Sequence, residues 1–158
     1  MAKKRIVADV MLVKLARWLR LFGISVENTK YVEDARLLRY AKRTGSILLT
    51  SDKALHERAR KKEASSILVI NGPFEMQLGY VVKLLGITPS MNETICPLCN
   101  SQLVPVSKKY ASKRILKKIA KRYDSFYYCR KCRKVYWHGS HWEKIGKTLK
   151  SIQRMEVR

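Results

Sequence analysis

The sequence predicts an α/β protein with a parallel sheet, followed by a small metal-stapled lobe. Three observations carry that prediction. Residues 5–86 alternate short β-branched runs with helical patterns, which is the rhythm of strand–helix–strand units. The strand runs are apolar throughout, as in a sheet covered on both faces. After Gly86 the composition changes, and two Cys-x-x-Cys pairs appear.

The elements follow in order. Arg5-Ile6-Val7-Ala8-Asp9 reads as a strand. Met11 to Phe22 carries Met11, Leu12, Leu15, Trp18, Leu19 and Phe22 at helical spacing, closed by Gly23. Ile24-Ser25-Val26 can form a second strand. Glu33 to Arg43 places Leu37, Leu38, Tyr40 and Ala41 on one face and ends at Gly45. Ser46 to Thr50 is the clearest strand, and Ser51-Asp52 caps a helix from Lys53 to Lys62. Ser66 to Ile70 is the next strand, and Phe74 to Leu85 the last helix of this part. Residues 87–94 read as a linker, dividing the chain into a first domain, 1–90, and a C-terminal part, 91–158.

The net charge is +22, with 34 basic and 12 acidic side chains. A compact fold carrying that charge is strained by self-repulsion unless a polyanion neutralises it, and nucleic acid is the natural candidate. No apolar run reaches the roughly 18 residues that span a bilayer. The opening residues meet Asp9 before any signal-type stretch develops, so the chain reads as cytoplasmic and unprocessed.

Cys96-Pro97-Leu98-Cys99 and Cys129-Arg130-Lys131-Cys132 are two knuckles that together supply four thiolates to one zinc ion. Disulfides and redox pairs fit a cytoplasmic chain less well. Four protein thiolates leave no open position, so the zinc is structural. The long spacing between the pairs is explained by an inserted helix, Ala111 to Arg122. This helix carries Lys113, Arg114, Lys117, Lys118, Lys121 and Arg122, with Ile115, Leu116 and Ile119 turned inward; the basic side suits phosphate contacts. Aromatic residues around the second knuckle, including Tyr127, Tyr136, Trp137 and Trp142, divide between core and base stacking. His138 and His141 flank Gly139-Ser140, a tight turn that is structural or RNA-contacting rather than a second metal site.

Acidic residues are scarce in the first domain, so their positions matter. Asp9 ends the first strand and Asp52 follows the Ser46–Thr50 strand. Ligand sites in open parallel sheets form outside these carboxyl ends, so the two can converge. Glu33 and Asp34 open a helix, and either can turn into the same cleft. Such carboxylates attract Mg²⁺ or Mn²⁺, which can activate water for phosphodiester hydrolysis. Each also has a plain structural role: Asp52 and Asp9 as helix caps, Glu33 and Asp34 as complements to a helix dipole. Lys14 can hold a phosphate, with Arg17 and Arg20 projecting nearby, or all three can form a solvated basic face.

Asp9-Val10-Met11-Leu12-Val13-Lys14-Leu15-Ala16-Arg17-Trp18-Leu19-Arg20 closely resembles the opening signature of the Mut7-C family, PIN-like ribonuclease domains with an appended zinc ribbon. Ile47-Leu48-Leu49-Thr50-Ser51-Asp52, Glu75-Met76-Gln77-Leu78, both knuckles and Tyr136-Trp137-His138-Gly139-Ser140-His141-Trp142 resemble later motifs of the family, in order. The resemblance implies a PIN-like α/β/α sandwich and a metal-dependent endoribonuclease. Asp9, Asp34 and Asp52 would form its acidic Mg²⁺ or Mn²⁺ site, with Lys14 and Arg17 beside them. Asn71 stands where a PIN-like fold commonly has a fourth acid, which suits one firmly held ion. RNA is the expected partner, rRNA or the ribosome included, and no membrane is expected. The alternative is a non-catalytic RNA- or ribosome-binding protein on the same scaffold.

Overall fold

The computed structural model describes residues 4–27, 33–91 and 95–156. Three parallel strands lie in the order β1 (Ile6–Ala8), β2 (Ile47–Thr50), β3 (Ser66–Leu68), with Ile6 opposite Ile47 and Thr50 opposite Leu68. Their side chains alternate between two apolar clusters. Ile6, Ala8 and Leu49 face one side, where helices α1 (Val13–Leu21) and α4 (Phe74–Leu85) pack. Val7 and Leu48 face the other, against α2 (Asp34–Thr44) and α3 (Lys53–Lys61). Leu48 and Leu49 are wholly buried; each contributes about 1.5–3 kcal/mol by leaving water.

The helix predicted from Met11 starts with a 3₁₀ turn, Val10–Leu12, before α1. Asp9 caps that turn: Met11 N donates to Asp9 Oδ1 at 3.3 Å. Gly45 and Gly86 stop α2 and α4 with φ of 65° and 61°, a left-handed backbone that glycine adopts without strain.

The possible strand Ile24–Val26 does not form. Glu27 makes one parallel bridge to Val7, but the Val26 backbone is engaged elsewhere. Arg20 Nε and Nη2 donate to Val26 O at 2.9 and 2.7 Å, and Val26 N donates to Asn100 Oδ1 at 2.9 Å.

The C-terminal part holds an antiparallel sheet, β4 (Val104–Val106), β5 (Phe126–Cys129) and β6 (Lys134–Trp137), in that order. The single inserted helix predicted for Ala111–Arg122 is instead two: α5 (Lys108–Ser112), capped by Ser107, and α6 (Lys117–Arg122). Ala111 and Ala120 are both buried, yet nine residues of continuous helix would place them on opposite faces. The break lets both face inward and leaves Leu116, expected inside, 63% exposed.

A final helix, α7 (Ser140–Glu156), returns to the first sheet. Its Ile145, Leu149 and Ile152 join the cluster of α1 and α4. At Gly79 of α4 an added Cβ would meet Met155 Sδ at 3.4 Å and Ile152 at 3.8 Å, ordinary contact distances, which places α7 directly against α4 there. No helix of the described residues is long and apolar enough to cross a membrane. Residues 92–94 of the predicted linker lie outside the described residues.

Candidate metal centre and active site

The four sulfurs of Cys96, Cys99, Cys129 and Cys132 all lie within 4.8 Å of one another. Cys99 and Cys129 Sγ are 3.4 Å apart, and Cys96 and Cys132 Sγ 3.9 Å. A zinc tetrahedron with bonds of about 2.3 Å has edges of about 3.8 Å. A disulfide needs roughly 2.05 Å, and all four thiols are free. The donor set and its spacing therefore fit one structural zinc.

Each knuckle is built alike. Asn100 N donates to Cys96 O at 2.9 Å and Arg133 N to Cys129 O at 2.8 Å; these closing residues have φ of 67° and 56°. The knuckles thus turn on Asn and Arg where glycine would be easiest, and Asn100 also fastens its knuckle to Ser25 and Val26. Burial raises the Cys99 thiol, but hydrogen bonds from Ser101 outweigh it, leaving the thiol at about 6. Cys132, surrounded by the other sulfurs, is pushed up to about 12. Four thiols this close cannot all ionise unless a cation joins them.

Arg20, read from sequence as projecting near Lys14 or lying on a solvated basic face, is 2% exposed and reaches the first cysteine knuckle. Its Nη1 donates to Pro97 O at 2.8 Å, within the first knuckle. Burial lowers its pKa, and the charges of Cys96 and Cys99 oppose that shift.

At the carboxyl edge of the parallel sheet, Asp9 is 8% exposed and Thr50 fully buried. Thr50 Oγ1 donates to Asp9 Oδ2 at 3.1 Å and accepts from Asp52 N at 3.0 Å. One hydroxyl thus joins the two residues predicted to converge. Asp52 also caps α3: its Oδ1 accepts from Ala54 N and Leu55 N at 2.7 and 3.1 Å. No described residue hydrogen-bonds to its Oδ2.

Asp34 is turned to Arg58, whose Nη2 donates to Asp34 Oδ2 at 2.5 Å. Asp9, Asp34 and Asp52 do not come together as a group that could share one ion; among the described residues the cysteines form the one such group. Lys14 is exposed, with Nζ 4.2 Å from the Phe74 ring centroid, and Arg17 is exposed one turn further along α1. Thr50 was missed as a site residue, although its place before Ser51-Asp52 at a strand end marks it.

The six basic residues of the inserted segment do not share one face. Lys113 lies at the end of α5 and Arg114 in the turn after it, with its guanidinium 3.8 Å from the Tyr110 ring centroid. Lys117 and Lys121 of α6 line a basic hollow with Lys108 and Lys109, Lys118 is exposed, and Arg122 lies over Tyr123. His138 stacks on Trp142 at 4.0 Å and 7°, with Tyr127 on its other side; burial lowers its pKa. The intervening Gly139 lies against Trp137, where a Cβ would sit 3.0 Å from Nε1.

A family model described as the Mut7-C RNAse domain matches residues 4–149, nearly the whole chain. The chain belongs to the Mut7-C family. Searches of curated proteins and of solved structures give no match. Mut7-C membership suggests an RNase-like function and implies RNA as the substrate. The match runs through both the carboxylate edge and the cysteine cluster.

Proposed function

We propose that this Mut7-C protein is a divalent-metal-dependent endoribonuclease with a PIN-like catalytic domain, residues 1–90, and a C-terminal part, residues 91–158, in which the zinc ribbon docks RNA and the basic C-terminal segment α7 packs on the first domain. The observation that carries the reading is the Thr50 hydroxyl joined to both Asp9 and Asp52. It fixes the recessed Asp9 carboxylate and, through the main chain, the position from which the partly exposed Asp52 projects, at the edge where parallel sheets bind ligands.

Oxygen donors of this kind fit Mg²⁺ or Mn²⁺. Asp9 and Asp52 would hold the ion, and Asp34 would join them on leaving Arg58. When bound, the ion lowers the pKa of water and stabilises charge on the phosphate. Thr50 fixes the Asp9 carboxylate, and Asp52 uses Oδ1 at the helix start while no described residue hydrogen-bonds to its Oδ2. Lys14 and Arg17 orient the substrate phosphate from α1.

The test is cleavage of a 5′-labelled RNA with Mn²⁺. Asp9→Asn and Asp52→Asn are each expected to cut the rate by 10²-fold or more, and Thr50→Val by roughly 10²-fold, as positioning losses do. Asparagine caps helices about as well as aspartate, so Asp52→Asn separates chemistry from folding. Parental rates in both aspartate variants would sink the assignment.

The pairing of Asp34 with Arg58 favours a second reading, a non-catalytic RNA- or ribosome-binding protein. Tight, salt-sensitive RNA binding without turnover in any divalent metal would select it.

A further inference from the structure

Helix α2 carries a cationic face that neither the zinc lobe nor the carboxylate edge uses. Arg36, Arg39, Tyr40 and Arg43 fall at intervals of three and four residues, so they share one stripe. They line a hollow of about 350 Å³. Arg39 and Arg43 also wall a neighbouring hollow of about 420 Å³, completed by Lys42 and Lys62. The two arginines form a ridge between troughs.

The stripe is ordered from below. The Tyr40 hydroxyl is held by Glu27, which Arg5 engages at 3.0 Å, and the Arg43 guanidinium lies 5.7 Å from the Tyr40 ring centroid. The neighbouring acids are largely committed: Glu33 to Arg36 at 3.0 Å and Asp34 to Arg58. Glu63, beside Lys62, is exposed and lines neither trough. Arg39, Lys42, Arg43 and Lys62 have no ion pair among the described residues.

We propose that this face of α2 is a track for the phosphate backbone of an RNA strand leaving the candidate active site. The inference rests on the ribonuclease reading. Arg36 to Arg43 covers about 10 Å of helix, the length of about three stacked nucleotides. Guanidinium forks match phosphate oxygens in pairs, and α2 begins at Asp34, which is ion-paired to Arg58 of α3, the helix that Asp52 caps. A protein partner would need a buried apolar anchor and a membrane an apolar face. Of the apolar residues lining the two troughs, Leu38 is buried, Ala35 is small, and Tyr40 is tied down through its hydroxyl to Glu27.

The test measures anisotropy of a 5′-labelled single-stranded oligoribonucleotide across a salt series, in an Asp9→Asn background that leaves the RNA intact. Arg36→Gln/Arg39→Gln/Arg43→Gln is compared with Lys144→Gln/Lys147→Gln/Lys150→Gln, which removes equal charge from exposed positions of α7. The α2 triple is expected to weaken binding at least tenfold and to flatten the log–log salt slope by about 2, at about 0.7 per phosphate. The α7 triple is expected to change affinity less than threefold. Should the α2 triple fail to fold, Arg39→Gln alone is expected to flatten the slope by about 0.7.

Parental affinity in a folded α2 variant, or equal losses from α2 and α7, overturns the track while leaving the ribonuclease reading intact. Loss of binding to phosphatidylserine vesicles with RNA affinity unchanged overturns it in favour of a membrane surface. A parent protein that neither binds nor cleaves RNA overturns both.

Discussion

The guanidinium of Arg20 ends on main-chain oxygens of two segments, Val26 O close by in the chain and Pro97 O far from it. Replacing it by methionine keeps much of the buried length but strips both carbonyls of a donor, at about 1–3 kcal/mol each. Arg20→Met is therefore expected to lower unfolding stability by about 2–6 kcal/mol in a urea titration. A change below about 0.5 kcal/mol would refute the clamp. Lysine is not expected to rescue it, since one ammonium cannot reproduce the fork. Sequence could not separate Arg20 from Arg17: both are basic positions on an amphipathic helix, and only the fold says that one lies beneath the knuckle. Asp9 and Asp52 were legible because a strand end fixes where a residue emerges. Asp34 was not, because its helix follows residues whose path the pattern leaves open, and its carboxylate is taken by Arg58 from another helix.

Among elements, the antiparallel lobe has the smallest core of its own, formed by Cys96, Leu103 and Cys129 with partly buried neighbours. Zinc held by its four cysteines would contribute on the order of 10 kcal/mol, as in small zinc modules. Extracting zinc with a strong chelator at pH 7 is expected to make four thiols reactive to a colorimetric thiol reagent and to lower the thermal midpoint. Full thiol reactivity before chelation would argue against a bound ion. The cysteine spacing made this element the most legible in the chain. The helix between the knuckles was less so, because the need to bury both Ala111 and Ala120 is a packing demand that residue periodicity does not reveal. Helix α7 left a readable trace, with Trp142, Ile145, Leu149 and Ile152 at helical spacing, but nothing in that trace names its partner.

For the whole molecule, a charge of +22 is the dominant long-range term. Five ion pairs are formed among the described residues, all with substantially exposed basic partners, so they offset little of the repulsion. Raising salt from about 0.05 to 0.5 M, which shortens the screening length severalfold, is expected to raise the thermal midpoint. The gain should be on the order of 2–4 °C for each kcal/mol of repulsion relieved. A midpoint that falls monotonically with sodium chloride would contradict this. The alternation of strands and helices revealed the first sheet and both of its covered faces. The joining of the two parts was hidden, because it runs through Arg20, Asn100 and α7, none of which carries a long-range signal in its own neighbourhood of the chain.

The return of α7 to the first sheet also sets an order on biosynthesis. The cluster on the α2–α3 face draws its members from Val7 to Ala64, so it can be completed early in translation. The opposite cluster spans Ile6 to Ile152 and stays open until the last helix has been made. At 5–20 residues per second, the stretch from Ala64 to Ile152 takes about 4–18 s. For that time the nascent chain shows the apolar sides of α1 and α4 to its surroundings, with one half of the sheet finished and the other waiting.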